Sequence, residues 1–96
     1  MNKLEKEVES ALVRMVNRHG GMCLKLGSTG QSGIPDRLIL LPDGRTMFVE
    51  LKRPEGGKIS KLQLWWARRL QSLGFVHRFV HNQGDISLLE MEMENR

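Results

Sequence analysis

With one cysteine among 96 residues, the chain has no partner for an internal disulfide and too few thiols for a multi-cysteine zinc site. Cys23 is therefore expected as a small, semi-buried residue and not as a reactive thiol. Long hydrophobic runs are missing too. No stretch is apolar for long enough to span a membrane, and the N-terminal MNKLEKEVES lacks the apolar core of a signal peptide. A soluble, cytoplasmic protein with no membrane partner is expected. The chain carries no internal repeat and no low-complexity segment, so disorder is expected only at its ends. The glycine-rich GSTGQSG at 27–33 is followed by neither GK[ST] nor a helix start, which argues against a phosphate-cradling P-loop.

What is present fits a single small domain over residues 1–96, with room for one modest core. A net charge of +4 and a pI near 9.7 favour an anionic partner. The excess is uneven. Arg45, Lys52, Arg53, Lys58, Lys61, Arg68 and Arg69 stand against Glu50 and Glu55 in the middle of the chain, while the tail EMEMENR is acidic. A basic middle of this kind looks like a phosphate-facing surface.

Leu4, Val8, Ala11, Leu12, Met15 and Val16 recur at helical spacing before Gly20-Gly21, which predicts a first helix over about residues 3–18. Met22–Leu26 alternates and reads as a strand. Two apolar runs at about 34–41 and 46–52, separated by Pro42-Asp43-Gly44, read as a β-hairpin. Ser60 and Gln63 have capping-box spacing ahead of Leu62, Trp65, Trp66, Leu70 and Leu73, and Gly74 is a natural stop, so a second helix follows. FVHRFV reads as a strand and ISLLEME as a short terminal helix. The expected order is α-β-β-β-α-β-α, an α/β fold with a mixed sheet between helices.

The hairpin carries Asp36, Glu50 and Lys52 at its base, where burying charge costs free energy. Glu50 and Lys52 are two apart and share a face. Where Asp36 points depends on register. A two-residue loop at Asp43-Gly44 pairs 36 with 51 and turns Asp36 away. A three-residue loop at 43–45 pairs 36 with 52 and gathers all three charges on one face. Gathered, two carboxylates supply hard oxygen ligands for Mg²⁺ or Mn²⁺. Such an ion polarises a phosphoryl oxygen and lowers the pKa of its water, and the lysine offsets charge building on phosphate. That chemistry is metal-assisted phosphodiester hydrolysis.

These residues also carry a resemblance. Pro35-Asp36 followed by Glu50-Leu51-Lys52 resembles the PD-(D/E)xK nuclease signature. The stretch GIPDRLILLPDGRTMFVELKRPEGGKISKLQ is similar to the virus-type replication-repair nuclease domain, VRR-NUC, of the stand-alone phage and bacterial type. The likeness runs from the first helix to about Val80. It implies a restriction-endonuclease-like core, with Asp36, Glu50 and the Leu51 carbonyl as metal ligands and Lys52 as the catalytic lysine. It further implies an acid on the first helix, which Glu5 or Glu9 could supply beside the apolar stripe. Glu9 is favoured because it opens an ESALV pattern similar to that of archaeal junction resolvases. Acids in early helical turns are equally expected from the macrodipole.

By the same resemblance Gln63 would help organise the active site, beside its capping role, and Arg53, Lys58 and Lys61 would contact DNA phosphates. Trp65 and Trp66 are adjacent and cannot both point inward, so one is expected in the core and the other at a subunit interface or on a base. His19, His77 and His81 are too scattered to form a ligand set, and surface roles are expected for His77 and His81. The resemblance implies a metal-dependent, structure-selective endodeoxyribonuclease that resolves four-way junctions as a homodimer, in a host cytoplasm if phage-encoded. Flaps or duplex DNA as substrate, or a basic binding module without catalysis, are the alternatives.

Overall fold

The computed structural model describes residues 3–27, 32–53 and 56–95. Helix α1 (Lys3–Arg18) precedes strands β1 (Met22–Lys25), β2 (Arg37–Leu40) and β3 (Thr46–Leu51). Helix α2 (Lys61–Ser72), strand β4 (Val76–Val80) and helix α3 (Gln83–Glu94) complete the expected order. The strands form one sheet ordered β1-β2-β3-β4, antiparallel until β3 and β4, which run parallel through the α2 crossover.

Alternation along the strands sorts the two faces. Ile39, Met47, Val49, Leu51 and Val80 meet Leu12, Met15 and Val16 of α1 and Ile86, Leu89 and Met93 of α3 in the main core. The opposite face carries Phe48, Glu50 and His77, and α2 covers its β4 side with Ala67 and Leu70. Among the described residues no helix is long and apolar enough to cross a membrane.

Three expectations change. The terminal helix begins at Gln83, earlier than the apolar pattern indicated, because the Asn82 side chain accepts from the Asp85 N–H and caps it. Neither tryptophan is core: Trp65 is 53% exposed, while half-buried Trp66 donates Nε1–H to the Ser32 carbonyl at 3.1 Å. His77 is not a surface residue. It is 3% exposed inside β4, and burial lowers its pKa.

The hairpin register also differs from both alternatives. β2 and β3 pair Leu40 with Thr46 and Arg37 with Val49. The loop is Pro42-Asp43-Gly44, closed by Gly44 N–H to Leu41 O at 2.9 Å and Leu41 N–H to Arg45 O at 3.0 Å. Pro42 has no N–H to give a ladder and its fixed φ suits the second position of a type I turn, so the loop starts one residue early. Gly44, at φ 88°, takes the left-handed place that ends such a three-residue loop. The loop is odd in length, as a shared face requires, and it brings Asp36 opposite Glu50, not Lys52.

Candidate active site

The site forms where β2 begins and β3 ends. Gly33 lets the chain reach it. Its φ is +85°, and a Cβ there would lie 2.8 Å from Leu62 Cγ and 3.0 Å from the Leu62 carbonyl carbon. A side chain at Gly33 would push the backbone there off the first turn of α2. Pro35 is then fully buried, and Asp36 follows at the sheet margin. The Leu26 N–H donates to the Asp36 carbonyl at 2.9 Å, which ties Asp36 to the edge strand.

Asp36 Oδ2 accepts the Leu51 N–H at 2.8 Å and so replaces the ladder partner that β2 no longer supplies. In an extended strand the N–H and C=O of one residue point to the same edge. The Leu51 carbonyl therefore lies on the Asp36 side, and the next N–H, from Lys52, turns to the Val80 carbonyl at 2.9 Å. The Leu51 side chain itself is buried in the core.

Glu50 is 4% exposed, and its Oε2 is buried without a hydrogen-bond donor. Burial pushes its pKa up to about 8, helped by a hydrogen bond to the Asp36 carboxyl and by that carboxyl's charge, with Lys52 opposing. Two coupled carboxyls resist ionising together, so burial favours a proton kept within the pair. An orphaned buried oxygen beside a second carboxylate is a donor set that a hard dication fits. Asp36, Glu50 and the Leu51 carbonyl are the groups that could hold one.

Gln63 links this pair to the lysine. Its Nε2 donates to Glu50 Oε1 at 3.3 Å, and its Oε1 accepts from Lys52 Nζ at 2.6 Å and from the Ser60 N–H at 3.0 Å. Ser60 Oγ accepts the Gln63 N–H in return, so the capping box is complete. The two readings of Gln63 coexist, because the glutamine that closes the cap also spans Glu50 and Lys52. Lys52 Nζ donates further to the Lys58 carbonyl at 2.7 Å. Arg53, Lys58 and Lys61 are exposed, after β3, ahead of α2 and at its first residue.

The favoured first-helix acid, Glu9, is held by a cation in this structure. Its Oε2 sits 3.1 Å from an Arg37 terminal nitrogen in a largely buried ion pair. Arg37 lies on the α1 face of the sheet, and a second guanidinium nitrogen donates to the Cys23 carbonyl at 3.1 Å. Arg37 was missed because only the fold brings it to Glu9. Glu5 lies half-buried in the first turn of α1. Arg45 also leaves the expected phosphate-facing surface: it binds Asp43 at 2.7 Å and donates to the Glu92 and Met93 carbonyls at the end of α3.

Comparison with known proteins places this geometry. A protein of Acyrthosiphon pisum secondary endosymbiont phage 1, named "Putative nuclease p44", is 44% identical over 85 residues, covering 88% of this chain and 90% of that protein. A solved structure described as a VRR_NUC domain superposes with a TM-score of 0.85 at 30% identity, covering 98% of both chains. No protein-family model matches the chain.

Proposed function

The chain belongs to the VRR-NUC nuclease family, and from that premise we propose that Asp36, Glu50 and Lys52 form the centre of a metal-dependent endodeoxyribonuclease. The observation that carries this reading is the buried Glu50 carboxyl, its Oε2 without a hydrogen-bond partner, coupled to the Asp36 carboxyl. Asp36, Glu50 and the Leu51 carbonyl would hold Mg²⁺ or Mn²⁺. When bound, the ion supplies a Lewis acid at a phosphoryl oxygen and a lowered pKa for its water.

The remaining work falls to the chain's own residues. Gln63 Oε1 and the Lys58 carbonyl aim the Lys52 ammonium, which offsets negative charge developing on the attacked phosphate. Asp36 is fixed by the Leu51 N–H, so little order is lost when substrate arrives. Arg53, Lys58 and Lys61 hold backbone phosphates and set position without reading sequence. Glu9, the first-helix acid, would join this set only by releasing Arg37.

The substrate we propose is branched DNA, a four-way junction cut by a homodimer. A single small subunit offers little surface for a junction, whereas a two-fold dimer presents two matched sites. Leu62, Trp65 and Leu73 support self-association, since they fall on one outward stripe of α2 and leave apolar surface uncovered. The test is cleavage of a labelled four-way junction, a linear duplex and a 5′ flap in Mg²⁺. Preferential, paired cutting of the junction is expected. Equal cutting of duplex and junction would remove the junction claim and leave the nuclease, and binding without cleavage of any substrate would remove both.

A further inference from the structure

The opposite end of the hairpin carries a second constellation of donor atoms. Glu90 and Glu94 stand one helical turn apart on α3 and so share a face. Just beyond α1, the His19 N–H bonds to the Val16 carbonyl at 3.1 Å, and Gly20 at φ 75° turns the chain away. This places the imidazole against α3, with His19 Nε2 2.7 Å from Glu90 Oε2. One ligand atom each from His19, Glu90 and Glu94 lies within 4.8 Å of the others. A cavity of about 210 Å³ adjoins His19 and Glu94, with Pro42, Asp43 and Arg45 also on its wall, the Arg45 guanidinium being neutralised by Asp43 at 2.7 Å.

We propose that His19, Glu90 and Glu94 form a binding site for a zinc-class dication that joins the end of α1 to α3. One imidazole nitrogen with two carboxylate oxygens suits zinc and its neighbours better than Mg²⁺, which prefers oxygen and water alone. Tetrahedral zinc with bonds near 2.1 Å separates its ligand atoms by roughly 3.4 Å. His19 and Glu90 need to part slightly and Glu94 to swing in, with water from the cavity as fourth ligand. Arg18 approaches Glu90 at 3.3 Å, but its side chain is 61% exposed and free to turn into solvent.

The site stands apart from the nuclease centre. Pro42 lies six residue steps along the chain from Asp36, mostly through β2, or about 20 Å if fully extended. An ion here would cross-link two helices that both pack on the main core, and binding to the folded state alone would raise stability by mass action. The proposal therefore does not rest on the nuclease reading.

The test uses the full chain stripped of metal, in an Asp36→Asn background that disables the other carboxylate pair. Zn²⁺ is titrated by calorimetry, and thermal unfolding is followed by circular dichroism with and without Zn²⁺. One bound equivalent and a raised Tm are expected, with no such rise from Mg²⁺. Adding His19→Gln or Glu94→Gln should abolish both signals while leaving the metal-free spectrum unchanged. The conservative Glu94→Asp, one methylene shorter, should weaken binding without abolishing it. Zinc bound equally well by either glutamine variant, or a parent that binds none at micromolar concentration, would overturn the site.

Discussion

The proposed chemistry turns on Glu50, which is buried, paired with a second acid and has one oxygen without a hydrogen-bond partner. Its pKa of about 8 in the metal-free protein has two consequences. A dication must displace that proton, so apparent Mn²⁺ affinity should rise about tenfold per pH unit below pH 8 and flatten above it. Calorimetry across buffers of different ionisation enthalpy should show about one proton released per ion at pH 7. The sign for stability is the reverse. The folded pKa lies above the unfolded value of 4.5, so the folded state binds more protons, and metal-free stability falls as pH rises from 4.5 through 8. Denaturant titrations at pH 5.5 and 8.5 should record that loss in the wild type and a reduced loss in Glu50→Gln. His77 acts in the other sense. Burial lowers its folded pKa below 6.5, so its contribution is present above pH 6.5 and is lost as pH falls. His77→Phe should remove that acid-side loss, since Nδ1 has no partner to forfeit among the described residues.

The elements matter through their ends. The α2 cap is also the brace of the site, so Ser60→Ala should act twice. It should cost about 1 kcal/mol of stability as a lost N-cap, read in urea melts. It should also lower cleavage at saturating substrate, because the Gln63 backbone N–H loses Ser60 Oγ and the first turn of α2, which carries the Gln63 side chain between Glu50 and Lys52, is held less firmly. At the far end of the hairpin, Gly44→Ala should cost about 1–2 kcal/mol through its left-handed φ, with catalysis intact. Sequence reasoning reached these devices unevenly. The capping box is a local pattern and was legible as it stands. The tip at Pro42-Asp43-Gly44 and the odd length that the site needs were legible, but the register was not, since the loops at 43–44 and 43–45 both paired Pro42 across the hairpin. The start of α3 escaped because Gln83-Gly84-Asp85 reads as loop until Asn82 is seen accepting the Asp85 N–H.

Across the whole molecule, what was legible divides by distance along the chain. Element order and the shared face of Glu50 and Lys52 follow from short-range periodicity and were readable. The pairing of Glu9 with Arg37, the meeting of His19 with Glu90, and the burial of His77 each join residues that only the fold brings together or covers. The same scale sets the assembly prediction. Sedimentation should report a dimer that Leu73→Glu or Trp65→Glu on the outward stripe of α2 dissociates, with junction cutting falling more than DNA binding. The central claim is that Asp36, Glu50 and Lys52 act together on one phosphate, and the rate of Mg²⁺-dependent cleavage of a labelled junction by wild type and Lys52→Ala tests it most directly. The account predicts that the wild type cuts, that EDTA stops it, and that the folded, DNA-binding variant is slower by roughly 10²-fold or more. A Lys52→Ala protein that cuts at the wild-type rate would contradict it.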